Sequence, residues 1–309
     1  MRFRVLVLTV FVAACADILG IDDGIPREGG APDVSQDAPP DVDAGKGACN
    51  LASPFGTPIA LGGVNTQAVE QHPRLSPDEL TLYFQRVDPD AGDFDLFRAT
   101  RGDAAAAFQS PSPISELDTP SDEADLTVSP DGLRAFFGSN RANGLGAYDI
   151  WQAQRDAQSA PFDLVAPTAN VSSTQNDHET YYVPGALYFA SDRGTGGEDI
   201  YRAAEQAGGL ASPLLVVELS SPAYDGFPVV SADELRIYFA SSRGDGGALQ
   251  PYTATRATKT AQWSTPTLVG ELAGFGQAIP AWISPDGCRL YFSSNENGDY
   301  DLYVAAKAP

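Results

Sequence analysis

From Cys49 onward, apolar and polar residues alternate in short runs broken by clusters of Gly, Asn, Asp and Pro. Residues 108–154 show the grammar: "FQSPSPIS", "ADLTVS", "LRAFFGS" and "YDIWQAQ", with "SPDG" and "NRANGLGAY" between the later runs. A period of two predicts half-buried strands, and the intervening clusters are turn chemistry. A 3.6-residue apolar stripe of helical length is absent. The chain therefore reads as all-β.

The same unit returns five times. Its ruler is the proline of "SPD", at Pro77, Pro130, Pro184 and Pro285, with Ala232 standing in once, at a period of 48 to 54 residues. A large apolar residue stands 22 positions earlier in every copy: Phe55, Phe108, Phe162, Leu210 and Trp263. An aromatic pair follows the ruler, at Tyr83-Phe84, Phe136-Phe137, Tyr188-Phe189, Tyr238-Phe239 and Tyr291-Phe292. A D-x-aromatic element comes later, at Asp95, Asp149, Asp199 and Asp301, and degrades to Gln250 in the fourth copy. Four short strands per unit and five units of about 50 residues predict a five-bladed β-propeller. Its copies are expected over 55–101, 108–155, 162–204, 210–256 and 263–307, within a domain spanning 49–309. Radial closure leaves few bare sheet edges, which suits a chain with no helices to cover them.

On "SPDG", the aromatic pair and "D-I-Y", these units resemble the WD40-like repeats of the TolB type from Phe55 to Lys307. That resemblance implies the propeller fold. TolB itself has six blades and an additional N-terminal domain, so its partner-binding surface is not carried over. The repeat residues are expected to be structural first. The Asp of "SPDG" caps the turn, its Gly supplies a positive φ, and one ring of each aromatic pair packs between blades.

The N-terminus reads as an address. Arg2 and Arg4 precede an apolar run, Val5–Ala14, that is too short to span a bilayer. It ends in "VAAC", which resembles the bacterial lipobox and implies cleavage after residues 1–14 and lipidation of Cys15. Ala16 lacks the Asp associated with inner-membrane retention, so the expected location is the outer membrane or cell surface, lipid-anchored and extracytoplasmic. Residues 15–48 are rich in Asp, Pro and Gly, and read as a disordered tether with a reach of roughly 30 Å.

Charge narrows the partners. Against 41 Asp and Glu stand 19 Lys and Arg, a formal net charge of −22, which argues against nucleic acid. Cys49 stands just before the first copy and Cys288 in the "SPDG" turn of the fifth; a closed ring makes those copies neighbours, and the two are expected to form a disulfide. His72 and His178 occupy non-equivalent repeat positions and are expected on the surface or in loops rather than in a metal site. Seven residues before the ruler stand Glu70, Glu123, Asp177 and Asp225, with Ala278 in the fifth copy. A propeller would gather these into a ring of carboxylates, able to hold a cation, unless each caps its own loop. Asp88, Asp90 and Asp93 crowd one turn as a weaker candidate for Ca2+, and no other cofactor is expected. No nucleophile elbow, P-loop or C-x-x-C is present. The expected function is a non-catalytic binding or scaffold module for an envelope protein or glycan. The alternative is a carbohydrate-active hydrolase using channel carboxylates.

Overall fold

The structure, a computed structural model, describes residues 49–87, 92–194, 196–244 and 247–309. Cys15, the tether, Asp88 and Asp90 lie outside the described residues. Five antiparallel sheets form a five-bladed propeller. The first blade is Glu70–Leu75, Thr81–Val87, Phe94–Thr100 and Gln109–Pro113, from axis to rim. The second begins at Glu123, the third at Asp177 and the fourth at Asp225. Innermost strands are buried on both faces, and outermost strands are exposed.

Sequence repeats and blades are out of phase by one strand. Gln109–Pro113 opens the second repeat but pairs with Phe94–Thr100 of the first blade. The offset propagates round the ring. The fifth blade consequently takes its outer strand, Ile59–Ala60, from the start of the domain and its other three, to Asp301–Ala306, from the end. Cys49 and Cys288 are disulfide-bonded with their Cα atoms 5.7 Å apart, 239 residues apart in sequence. The bond joins the start of the described domain to the turn between the two inner strands of this composite blade.

Within each blade the repeat letters have definite work. The Ser of the "SPD" turn donates its hydroxyl to the Asp two residues on, at 2.5 Å in Ser76–Asp78, Ser129–Asp131 and Ser284–Asp286. The same Asp Oδ1 accepts the N–H of Leu80, Leu133 or Cys288 at 3.0 Å. The second ring of each aromatic pair is fully buried and meets the D-x-aromatic ring across the strand pair, as in Phe189–Tyr201 at 6.0 Å. The first ring faces the next blade: Tyr83 packs with Leu126, Ala135 and Phe137 of the second.

Every innermost strand breaks register once, through residues such as 125–126 and 179–180. His72, Asp125, Glu179 and Phe227, five residues before the ruler, take left-handed φ values of 51° to 57°. Bulges re-aim side chains. These four are buried around the axis.

Candidate functional site

The four repeat acids are each fully buried and held within their own blades. Thr66 donates its backbone N–H and hydroxyl to Glu70, and Thr119 does the same to Glu123. Ser173 binds Asp177 in the same way, and the Ser221 hydroxyl binds Asp225. Each acid also meets an arginine from the second strand or just beyond it: Arg86, Arg141, Arg193 and Arg243. Those guanidiniums stack on the D-x-aromatic rings at 4.7 to 5.3 Å. In the fifth copy Ala278 replaces the acid and Glu296 stands where the arginine would be, so both partners of the pair change together. The structure thus shows four capped ion pairs, with Glu123 also within reach of Asp95 and Asp118. The signal for the arginines was in the sequence, as "SNR", "SDR" and "SSR" after the aromatic pairs.

The chemistry concentrates at the axis. Asp125 accepts the N–H of Glu179 at 3.2 Å, and Glu179 accepts the N–H of Phe227 at 2.8 Å. Gln85, from the first blade, accepts the N–H of Asp125 at 2.9 Å. Side chains of one blade therefore tie down the bulge of the next. The succession stops where Phe227 offers no acceptor, and the next equivalent position, Pro280, has no N–H to donate. Arg74 crosses the axis, donating to the carbonyls of Thr180, at 2.9 Å, and Ala281, with its guanidinium 4.7 Å over Tyr181. Burial lowers its pKa to about 10. The arginine plugs the channel.

On one side of this plug the "SPD" prolines of four blades ring an apolar mouth with Tyr181 and Trp282. On the other side lies a polar cluster. His72, expected at the surface, is only 4% exposed, with Nδ1 2.5 Å from Asp125 Oδ1 and its ring 4.6 Å from Phe227. His178 is also drawn to the axis. Its Nε2 lies 2.7 Å from Glu198, and its Nδ1 lies 3.6 Å from Glu179 and 4.0 Å from Asp125. Tyr224 donates its hydroxyl to Glu179. Both histidine expectations fail for one reason: the bulges turn the positions five and six residues before the ruler inward. Of the calcium candidate, only Asp93 is described, and it is half-buried.

His178, Glu179 and Glu198 each bring a donor atom within 4.8 Å of the others, a set able to approach a cation. Their protonation is coupled. Burial raises Glu179 from 4.5 to about 8, and Glu198 and Asp125 push the same way. Burial opposes the charge on His178, but Glu198, Glu179 and Asp125 outweigh it and raise that pKa. Both groups bind protons more tightly folded than unfolded. Their stabilisation is complete below the unfolded values of 4.5 and 6.5 and fades as pH rises through the folded ones. The melting midpoint is accordingly expected to fall between about pH 5 and 9, and Glu179→Gln to flatten the fall below about pH 8. Melts followed by circular dichroism check this; equal slopes in the two proteins would refute it.

No protein-family model matches the chain, and no curated protein matches it. Solved structures do. An α-L-arabinofuranosidase from Podospora anserina, solved with cellotriose, superposes with a TM-score of 0.56 at 11% identity, over 85% of this chain and 99% of that one. A GH62 hydrolase solved with xylotriose gives 0.53 at 11%, over 82% and 97%. TolB from Acinetobacter baumannii gives 0.47 at 16% identity, over 79% of this chain but only 57% of TolB. At identities this low the two hydrolases, with TM-scores above 0.5, share the fold alone.

Proposed function

We propose that this chain is a lipid-anchored, extracytoplasmic binding module whose propeller recognises an envelope protein or glycan at the polar end of its channel. One observation carries the reading. Asp125 and Glu179, which a hydrolase would present to its substrate, are 3% and 2% exposed; each gives one oxygen to the bulge of the next blade, and the other faces His72 or the Tyr224 hydroxyl. His178 and Glu198, with side chains 13% and 15% exposed, are the groups of the cluster that reach solvent. A carboxylate beside an imidazole suits basic or hydroxyl-rich groups. The net charge of −22 steers the same way.

Hydrolysis is the second reading, favoured by the raised Glu179, since a carboxyl protonated near neutral pH is what a general acid needs. Glycan arrays and envelope-fraction capture, run with the wild type and with Glu198→Gln, separate the two. Retention of one ligand class by the wild type and its loss in the variant, without turnover, is the expected result. Release of sugar from arabinoxylan, abolished by Glu179→Gln alone, would replace binding by catalysis.

A further inference from the structure

Three blade junctions share one set of donors, and only two of them contain the acid that those donors serve. Where the fifth blade meets the first, Glu79 takes the Tyr291 hydroxyl at 2.5 Å and an ion pair from Arg289. Arg101 completes the group at 3.8 Å. Where the third meets the fourth, Glu234 takes the Tyr188 hydroxyl at 2.9 Å, Arg202 at 3.0 Å and Arg256 at 3.3 Å. Both glutamates sit at the last position of the "SPD" turn with φ near 60°.

The junction of the first and second blades repeats this geometry. Arg155 donates Nε to the carbonyl of Gly132 at 2.6 Å, as Arg101 does to Glu79 and Arg256 to Glu234. Its Nη2 lies 3.2 Å from the Tyr83 hydroxyl, against 3.5 and 3.4 Å for the corresponding tyrosines. It stacks on Phe162 at 4.2 Å, as Arg256 does on Trp263. Arg98 is paired across the strands with Tyr83, as Arg202 is with Tyr188. The turn residue, however, is Gly132, with φ at 75° and no carboxylate to offer. A cavity of about 490 Å³ lies there, its lining including Tyr83, Arg98, Arg155, Ser110, Ser112 and one carboxylate, Asp78, which is already held in its own turn by Ser76 and the Leu80 N–H. Arg155 is only 6% exposed, and its Nη1 is buried without a hydrogen-bond partner among the described residues. A buried guanidinium lacking its acid is costly. The second–third junction is different: Phe136 has no hydroxyl, and Arg134 already pairs with Glu205.

We propose that this junction binds the carboxylate of a small organic acid, seated where Glu79 and Glu234 place theirs. The cavity has room for an acid of monosaccharide or amino-acid size. Arg155 and Arg98 supply the charge, Tyr83 donates its hydroxyl, and the serines meet whatever polar groups the acid carries. The site lies on the "SPD" side of the ring and does not depend on the polar end of the channel.

Calorimetric titration of the folded chain with sodium acetate, sodium glucuronate, glucose and sodium chloride tests it. Both carboxylates should bind, while glucose and chloride should not. Arg98→Gln, which leaves the buried framework intact, should weaken binding at least about tenfold, as losing a charge-assisted contact does. Gly132→Glu builds the missing acid into the chain. It should abolish binding and raise the melting midpoint, provided that Gln158, 2.9 Å from the new Cβ, swings aside. Equal affinities would assign recognition to the carboxylate alone, and tighter glucuronate binding would assign a share to the hydroxyl wall. No heat from either acid at about 10 mM, or unchanged binding in both variants, would overturn the proposal.

Discussion

Reducing the Cys49–Cys288 bond, or replacing Cys288 by Ser, is expected to destabilise the propeller by about 5 kcal/mol, as the loop-closure model gives for so long a loop. At about 2–4 °C per kcal/mol for a domain of this size, the melting midpoint should fall by about 10–20 °C. The argument rests on where the bond sits. The ring is otherwise closed in the fifth sheet by only two register pairs, Ile59 with Val304 and Ala60 with Tyr303. Backbone bonds from Gly56 to Ala306 and from Leu61 to Leu302, the Asn65 amide on Leu302, and the Glu79 group with Arg289 and Tyr291 add to them, and the disulfide is the one covalent tie. An unfolded chain cross-linked over 239 residues has lost much of its freedom before folding begins. Melting with and without reductant measures the effect, and a shift below about 2 °C would mean that strand pairing alone holds the ring.

Arg74→Ala is expected to cost about 3–4 kcal/mol, the range for removing one member of a buried charged network. It strands the carbonyls of Thr180 and Ala281 and opens a space beside Tyr181. Arg74→Met separates the two contributions. It fills the space and removes the desolvation that already depresses the arginine's pKa, so a loss of only about 1–2 kcal/mol is expected. Urea titration of the three proteins gives the comparison. Equal losses for Ala and Met would show that the hydrogen bonds across the axis, not packing, carry the plug.

The fold was legible because a propeller prints its architecture repeatedly. Strand alternation and the aromatic pairs recur five times and the "SPD" turn three times, so departures such as "VPGA" and "SADE" are corrected by the other copies. The pairing of Cys49 with Cys288 followed from closure of the ring. The phase did not follow. Nothing in "FQSPSPIS" says whether it ends one blade or begins another, since an outer strand looks the same in either role. The axis was still less legible. A search for what recurs selects Glu70, Glu123, Asp177 and Asp225, which the structure shows bound to arginines. The central cluster is made of letters that differ: His72, Asp125, Glu179 and Phe227 share a position and no chemistry. Only the backbone bulge makes them one set. The same blindness hid Gly132, which reads as an ordinary turn glycine until Glu79 and Glu234 show what its position otherwise holds.

The composite fifth blade also sets an order of events. A chain emerging N-terminus first releases Ile59 and Ala60 before any of the strands they will pair with, and Asp301–Ala306 after every other described strand. Four sheets have their full complement of strands while this last one lacks its partner, so the ring stays open until Asp301–Ala306 has been made. Pairing of Cys49 with Cys288, in which both thiols are oxidised by an external thiol oxidant, must wait as well, about 240 residues of synthesis later. Fragments truncated before Asp301 are therefore open arcs with a bare edge at each end, and they would meet another copy's edge more readily than their own.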